Sequence, residues 1–159
     1  MVIVRSEDEM HDPGTDPTFA VVERLRDAMN EHDLEALVDV FDQDFVSEAP
    51  AHPQRTFRGA DQVRRNWQQI FAGVPDLRAD LLDAVVEGDT VWSEWDWSGT
   101  RRDGSAHRMR GVTIQRVRDS RAVSVRFYME PVEEGGPAAG EAVRRIVAGQ
   151  DTTGSAAPR

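Results

Sequence analysis

Cysteine is absent from the 159 residues, which excludes disulfides, thiol nucleophiles and thiolate zinc sites. Lysine is absent as well, so every basic side chain is an arginine. Positive charge is scarce, with 19 basic against 29 acidic residues and a formal charge of −10. Nucleic-acid binding rests on neutralising phosphates with cations, so no nucleic-acid partner is expected. No apolar run approaches the ~18 residues a membrane span needs, so no membrane partner is expected either. The N-terminal MVIVRSEDEM lacks the long apolar core and small-residue cleavage site of a signal peptide. A cytoplasmic protein is the resulting expectation. What remains, 39% hydrophobic residues, suffices for one domain with a real core.

Three of the four tryptophans fall within Val91–Gly99, VWSEWDWSG. Aromatic and β-branched residues suit an extended segment. Side chains there alternate between faces, which puts Val91, Ser93, Trp95 and Trp97 on one face and Trp92, Glu94 and Asp96 on the other. Both faces carry a large ring, so neither is expected simply to face water.

Around this strand the chain divides into three parts. Residues 1–15 read as a flexible acidic arm and 16–132 as the domain. Residues 133–159 read as a linker with a short helix over 141–148 and a disordered end. Asp16-Pro17 is a helix start, a carboxylate cap followed by proline at the first helical position. Phe19, Val22, Leu25 and Met29 mark its apolar face, which Arg26 interrupts. A second helix is expected from Asp33, with Leu34, Leu37, Val38 and Phe41 on one side. Phe45–Ala49 reads as a short strand closed by Pro50 and Pro53, and 51–58 as a loop or edge hairpin. After Gly59 the spacing of Val63, Trp67, Ile70 and Phe71 predicts a third helix, stopped by Gly73 and Pro75. Four antiparallel strands follow, with a bulge where the alternation changes phase at Leu81-Leu82. Helices first and a meander afterwards make the class α+β.

With the helices, the FDQDFVSEAP segment and the meander ending RFYMEP in place, residues 16–132 resemble the SnoaL-like polyketide cyclases. These belong to the nuclear transport factor 2-like superfamily, with the ketosteroid isomerases and limonene epoxide hydrolases. The resemblance implies a cone-shaped curved antiparallel sheet wrapped around three helices, a cystatin-like α+β barrel with a blind apolar pocket. It also implies a dimer built on the outer sheet face. The isomerases' oxyanion-hole and base positions match Leu25, Thr113 and Ala49. The epoxide hydrolases' Arg-x-Asp pair and last-strand Asp match Trp95, Trp97 and Phe127. None of these six keeps an ionisable group. The cyclases' last-strand acid also matches near Phe127, where a slip of one or two residues brings in Glu130.

The expected pocket therefore contains Leu25, Ala49, Trp67, Ser93, Trp95, Trp97, Gly111, Thr113, Phe127 and Met129, with Gln115 and Val125 on the same inward parity. Such a lining suits a flat apolar or aromatic ligand held by stacking, although these side chains can equally fill a core. Candidate acid–base groups are Glu130, Glu48 and His107. A carboxylate enclosed by tryptophan loses solvation and becomes a base near neutrality. The commoner role of such groups, and of His52, is an exposed structural one. Glu94 and Asp96 are spaced for a metal, but no histidine adjoins them, so neither metal nor cofactor is expected.

On the outer face Trp92, Val112, Ile114 and Tyr128 form an apolar band among Glu94, Asp96, Arg110, Arg116 and Arg126. A second copy of the same face is the simplest cover, with arginines meeting acids across a homodimer. The residues support three functions: a binder of an apolar metabolite, a cofactor-independent cyclase- or isomerase-type enzyme, and a dimeric interaction module without a ligand.

Overall fold

The computed structural model describes residues 2–5 and 16–149. The disordered end expected over 151–159 and most of the expected arm lie outside the described residues. Within them, helices α1 (Pro17–Glu31), α2 (Leu34–Asp39) and α3 (Ala60–Gly73) pack on the inner face of one sheet. Its seven strands are β1 (Val2–Arg5), β2 (Phe41–Glu48), β3 (Phe57–Arg58), β4 (Arg78–Glu87), β5 (Thr90–Thr100), β6 (Ala106–Arg118) and β7 (Arg121–Pro131), in the order β1-β4-β5-β6-β7-β2-β3. The sheet is curved and unclosed. A fourth helix, α4 (Ala139–Val147), buries no residue.

Local chemistry accounts for most of these boundaries. Asp16 caps α1 by accepting from the amides of Thr18 and Phe19, with Pro17 at the first helical position. His32 ends the helix in the left-handed conformation. Residues 81–83 carry the bulge that the phase change at Leu81-Leu82 predicts. On either side of it the register keeps Ala79, Leu81, Ala84 and Val86 opposite Trp97, Trp95, Ser93 and Val91.

Three elements differ from expectation. Val2–Arg5, expected in the mobile arm, pairs antiparallel with Asp83–Val86 of β4. Phe41, expected on the second helix, opens β2, because α2 ends two residues earlier, at Asp39, and Phe41 and Phe45 both point into the core. Of the alternatives for 51–58, the edge hairpin is realised: β3 pairs antiparallel with Val46-Ser47 after a 3-10 turn over Pro53–Arg55.

β2 runs parallel to β7, with Ser47 opposite Val125 and Glu48 opposite Arg126. All other strand pairs are antiparallel. Because β2 ends at Glu48, β7 has no strand neighbour on that side beyond Arg126. The segment 49–56 occupies that edge, and this opens one end of the cone.

Candidate functional site

Alternation along β5 sends Val91, Ser93, Trp95 and Trp97 inward, all of them buried. β6 contributes Thr113 and Gln115, and β7 contributes Val125, Phe127 and Met129. α3 lies across them with Val63, Trp67 and Ile70. Together with β2 they enclose a cavity of about 280 Å³, just under the usual range for small-molecule sites.

Aromatic rings are prominent in its wall. Trp97 stands 5.5 Å from Trp67, 6.0 Å from Phe127 and 6.5 Å from Trp95, centroid to centroid. These are the spacings of tilted and edge-to-face ring pairs, which favour such geometry over face-to-face stacking. Trp95 is fully buried and its indole N–H donates to the Thr113 hydroxyl at 3.1 Å. The Trp97 indole nitrogen and Gln115 Oε1 are buried with no partner among the described residues.

Polar groups collect at the open end. His52 Nε2 lies 2.6 Å from Glu130 Oε1, with both side chains partly exposed. Glu130 points outward by strand parity, yet it lies on the stretch of β7 that β2 leaves uncovered, and there it meets the 49–56 segment. Arg55 and Asn66 complete this rim.

Of the expected pocket residues, Leu25, Ala49, Trp67, Trp95, Trp97, Thr113, Phe127 and Met129 line the cavity. Ser93 and Gly111 do not. The Ser93 side chain is short and enclosed by core. Gly111 has no side chain, and its backbone, at φ 151°, is pressed against the backbone of Tyr128 and Met129.

The candidate acids and bases separate. Glu130 lines the mouth. Glu48 does not reach the cavity, because Ser47 and Ala49 point inward and Glu48 between them is exposed on the other face. His107 lies on β6 opposite Gly99, beyond the lining. Burial, with the nearby Arg101 charge, holds its imidazole below the ordinary value. Ser47, Arg55 and Asn66 were not foreseen. Continuing the alternation from Phe45 through Ser47 to Ala49 would have found the first. The other two lie on a turn and a half-buried helix face, which carry no such signal.

On the outer face Trp92 is 46% exposed and Tyr128 40%. Glu94 and Arg126 are exposed beside them, and Val112 is half-buried. Ile114, expected in an interface band, is buried within the single chain, between Trp92 and Arg126 in the register. Of the band's arginines, Arg110 and Arg116 are engaged within the chain. Arg108 and Arg110 both bind Asp96, at 2.9 and 2.7 Å, and hold its carboxyl below the usual range, while Arg116 binds Asp89. No cluster suited to a metal occurs among the described residues. Nor is any helix among them long and apolar enough to cross a membrane.

The profile of the SnoaL-like domain family matches residues 22–125. Wild-type IdmH, a putative polyketide cyclase from Streptomyces antibioticus, is similar in structure, with a TM-score of 0.62 at 26% identity over 71% of this chain and 91% of that one. A loop truncation variant of IdmH gives 0.61 at 28% identity, over 71% and 92%. An LEH-like epoxide hydrolase from M. tuberculosis shares the fold, with a TM-score of 0.64 at 17% identity over 74% and 86%. Among curated proteins, the tRNA modification GTPase MnmE of Synechococcus elongatus is 30% identical over 92 residues, 55% of this chain. The match spans only 19% of that protein's length.

Proposed function

Since this chain belongs to the SnoaL-like domain family, whose members bind small molecules or act as cyclases, isomerases or hydrolases, we propose that its cone holds a compact apolar ligand with fused rings. One observation carries the reading: a cavity of about 280 Å³ walled by Trp67, Trp95, Trp97 and Phe127, with its charged groups confined to the mouth. Aromatic walls reward flat rings by stacking as well as by area. The GTPase similarity does not bring the G-x-x-x-x-G-K-[ST] phosphate loop with it, since this sequence has no lysine.

Tryptophan fluorescence titrated with 2-naphthol tests the reading. Trp97→Phe should weaken binding several-fold, in line with a ring-pair contribution of about 0.5–1.5 kcal/mol. Trp92→Phe, on the opposite face, should leave binding unchanged. Absence of quenching, or sensitivity at Trp92 alone, overturns it.

A second reading is favoured by the His52–Glu130 contact of 2.6 Å at the mouth. Such a pair can take a proton from a ligand carbon beside a carbonyl and return it elsewhere, the chemistry a cyclase or isomerase needs. Deuterium uptake at the α-carbon of 1-tetralone, followed by NMR, should then be accelerated by the protein and lost in Glu130→Gln. Equal uptake with both proteins rejects catalysis and leaves the binder.

The exposed Trp92 and Tyr128 support a homodimer through the outer sheet face, the commonest way to cover such a surface. With Asp96 and Asp89 already paired within the chain, Glu94 and Arg126 are the band's charged groups left to cross that contact.

A further inference from the structure

Gln115 is only 2% exposed, lines the cavity, and has an amide oxygen without a partner. In the register it lies between Val91 and Val125, six residues along the sheet from the row of Trp97. That places its backbone toward the closed end of the cone, while the Trp97 ring lies 6.0 Å from that of Phe127, which is opposite Thr113 in the register. Two residues before it on the same face is Thr113, whose oxygen accepts the Trp95 indole hydrogen. A hydroxyl carries one proton and two lone pairs, so Thr113 keeps its own proton to donate. The closed end of the cone thus presents an acceptor without a partner beside a hydroxyl that keeps its proton to donate.

Leaving a buried carbonyl-type oxygen unpaired is unfavourable, and native interiors rarely do so without a reason. The amide's terminal torsion is soft, so its oxygen can turn toward an arriving donor. A single hydroxyl satisfies both groups at once, because it donates through hydrogen and accepts through oxygen. We infer that the ligand enters hydroxyl first, its O–H donating to Gln115 Oε1 and its oxygen accepting from the Thr113 hydroxyl. The cone accordingly selects phenolic or enolic fused rings over hydrocarbons of the same shape. This rests on the ligand-binding reading above and specifies the ligand's chemical class.

Three probes of nearly equal shape test it by titration calorimetry: 2-naphthol, 2-methoxynaphthalene, which accepts but cannot donate, and 2-methylnaphthalene, which does neither. A plain apolar cavity favours the methyl compound, because the hydroxyl must give up its water. The polar floor reverses that order, and 2-naphthol should bind about tenfold more tightly than either of the others, the scale of one buried hydrogen-bonding group left unpaired. In Gln115→Met the preference should vanish while 2-methylnaphthalene affinity is kept, which also shows that the variant is folded. Equal binding of the three probes to the wild type, or a preference that survives Gln115→Met, overturns the inference and leaves the binding function standing. If none of the three binds, the binding function fails with it.

Discussion

Asn30, near the end of α1, makes two hydrogen bonds to one residue of β4. Its Nδ2 donates to the carbonyl of Ala79 at 3.0 Å, and its Oδ1 accepts from the Ala79 amide at 2.8 Å. Among the described residues β1 covers β4 only over Asp83–Val86, so the Ala79 backbone has no strand on the side away from β5, and the carboxamide takes that place. Replacing Asn30 by Leu strands a buried donor and a buried acceptor. Chemical denaturation should show a loss of about 2–6 kcal/mol, from roughly 1–3 kcal/mol for each of the two orphaned groups. Acid should act through two kinds of side chain. His107 is held below the ordinary imidazole value, so the unfolded chain takes up its proton first, and stability should fall as pH drops below about 6.5. Asp96 is lowered by Arg108 and Arg110, so its contribution is present above about pH 4 and is lost as the carboxylate protonates below that. A melting series from pH 7 to 3 checks both, and His107→Gln should remove the upper step alone. Contacts of this kind are poorly legible in sequence. The inward parity of Trp95 and Trp97 follows from local alternation, whereas Asn30 with Ala79 and His52 with Glu130 join residues 49 and 78 positions apart.

At the scale of elements, helix faces, turns and the β4 bulge were readable because each depends on neighbouring residues. Phe41 was misplaced because a short helix and the strand after it share the same apolar residues, and only tertiary packing decides where one ends. The parallel seam between β2 and β7 left no local mark. Gly111 shows the same limit: it reads as an inward position on β6, but its place is set by how closely β7 approaches. A Cβ there would lie 2.3 Å from the Tyr128 carbonyl oxygen and 2.7 Å from the Met129 Cα, at a φ that side chains avoid. Gly111→Ala should therefore destabilise by about 3 kcal/mol, as a strained backbone and an overfilled contact add. Gly73, with open space around it at the end of α3, is the control. Gly73→Ala should be neutral or stabilise by about 0.5 kcal/mol, and comparable losses at both glycines would refute the close-approach account.

For the whole molecule, the two faces of the sheet have different tasks. The inner face walls the cavity and the outer face carries Trp92 and Tyr128. Trp92→Glu places a charge in the proposed contact, so sedimentation should show a dimer for the wild type and a monomer for the variant at micromolar concentration. A monomeric wild type refutes the proposed contact. Because the two faces are separate, 2-naphthol binding should persist in the variant if it remains folded.

The seam between β2 and β7 also orders events in time. β2 lies early in the chain and its partner is the last strand, so closing the loop between them is slow compared with forming helices or adjacent hairpins. A nascent chain holds α1, α2 and β2 well before it holds the edge that completes the cone. In stopped-flow refolding, helical circular dichroism should accordingly recover before Trp97 fluorescence. A ligand present from the start should slow unfolding without speeding refolding, because no cavity exists to bind it until the final seam has closed.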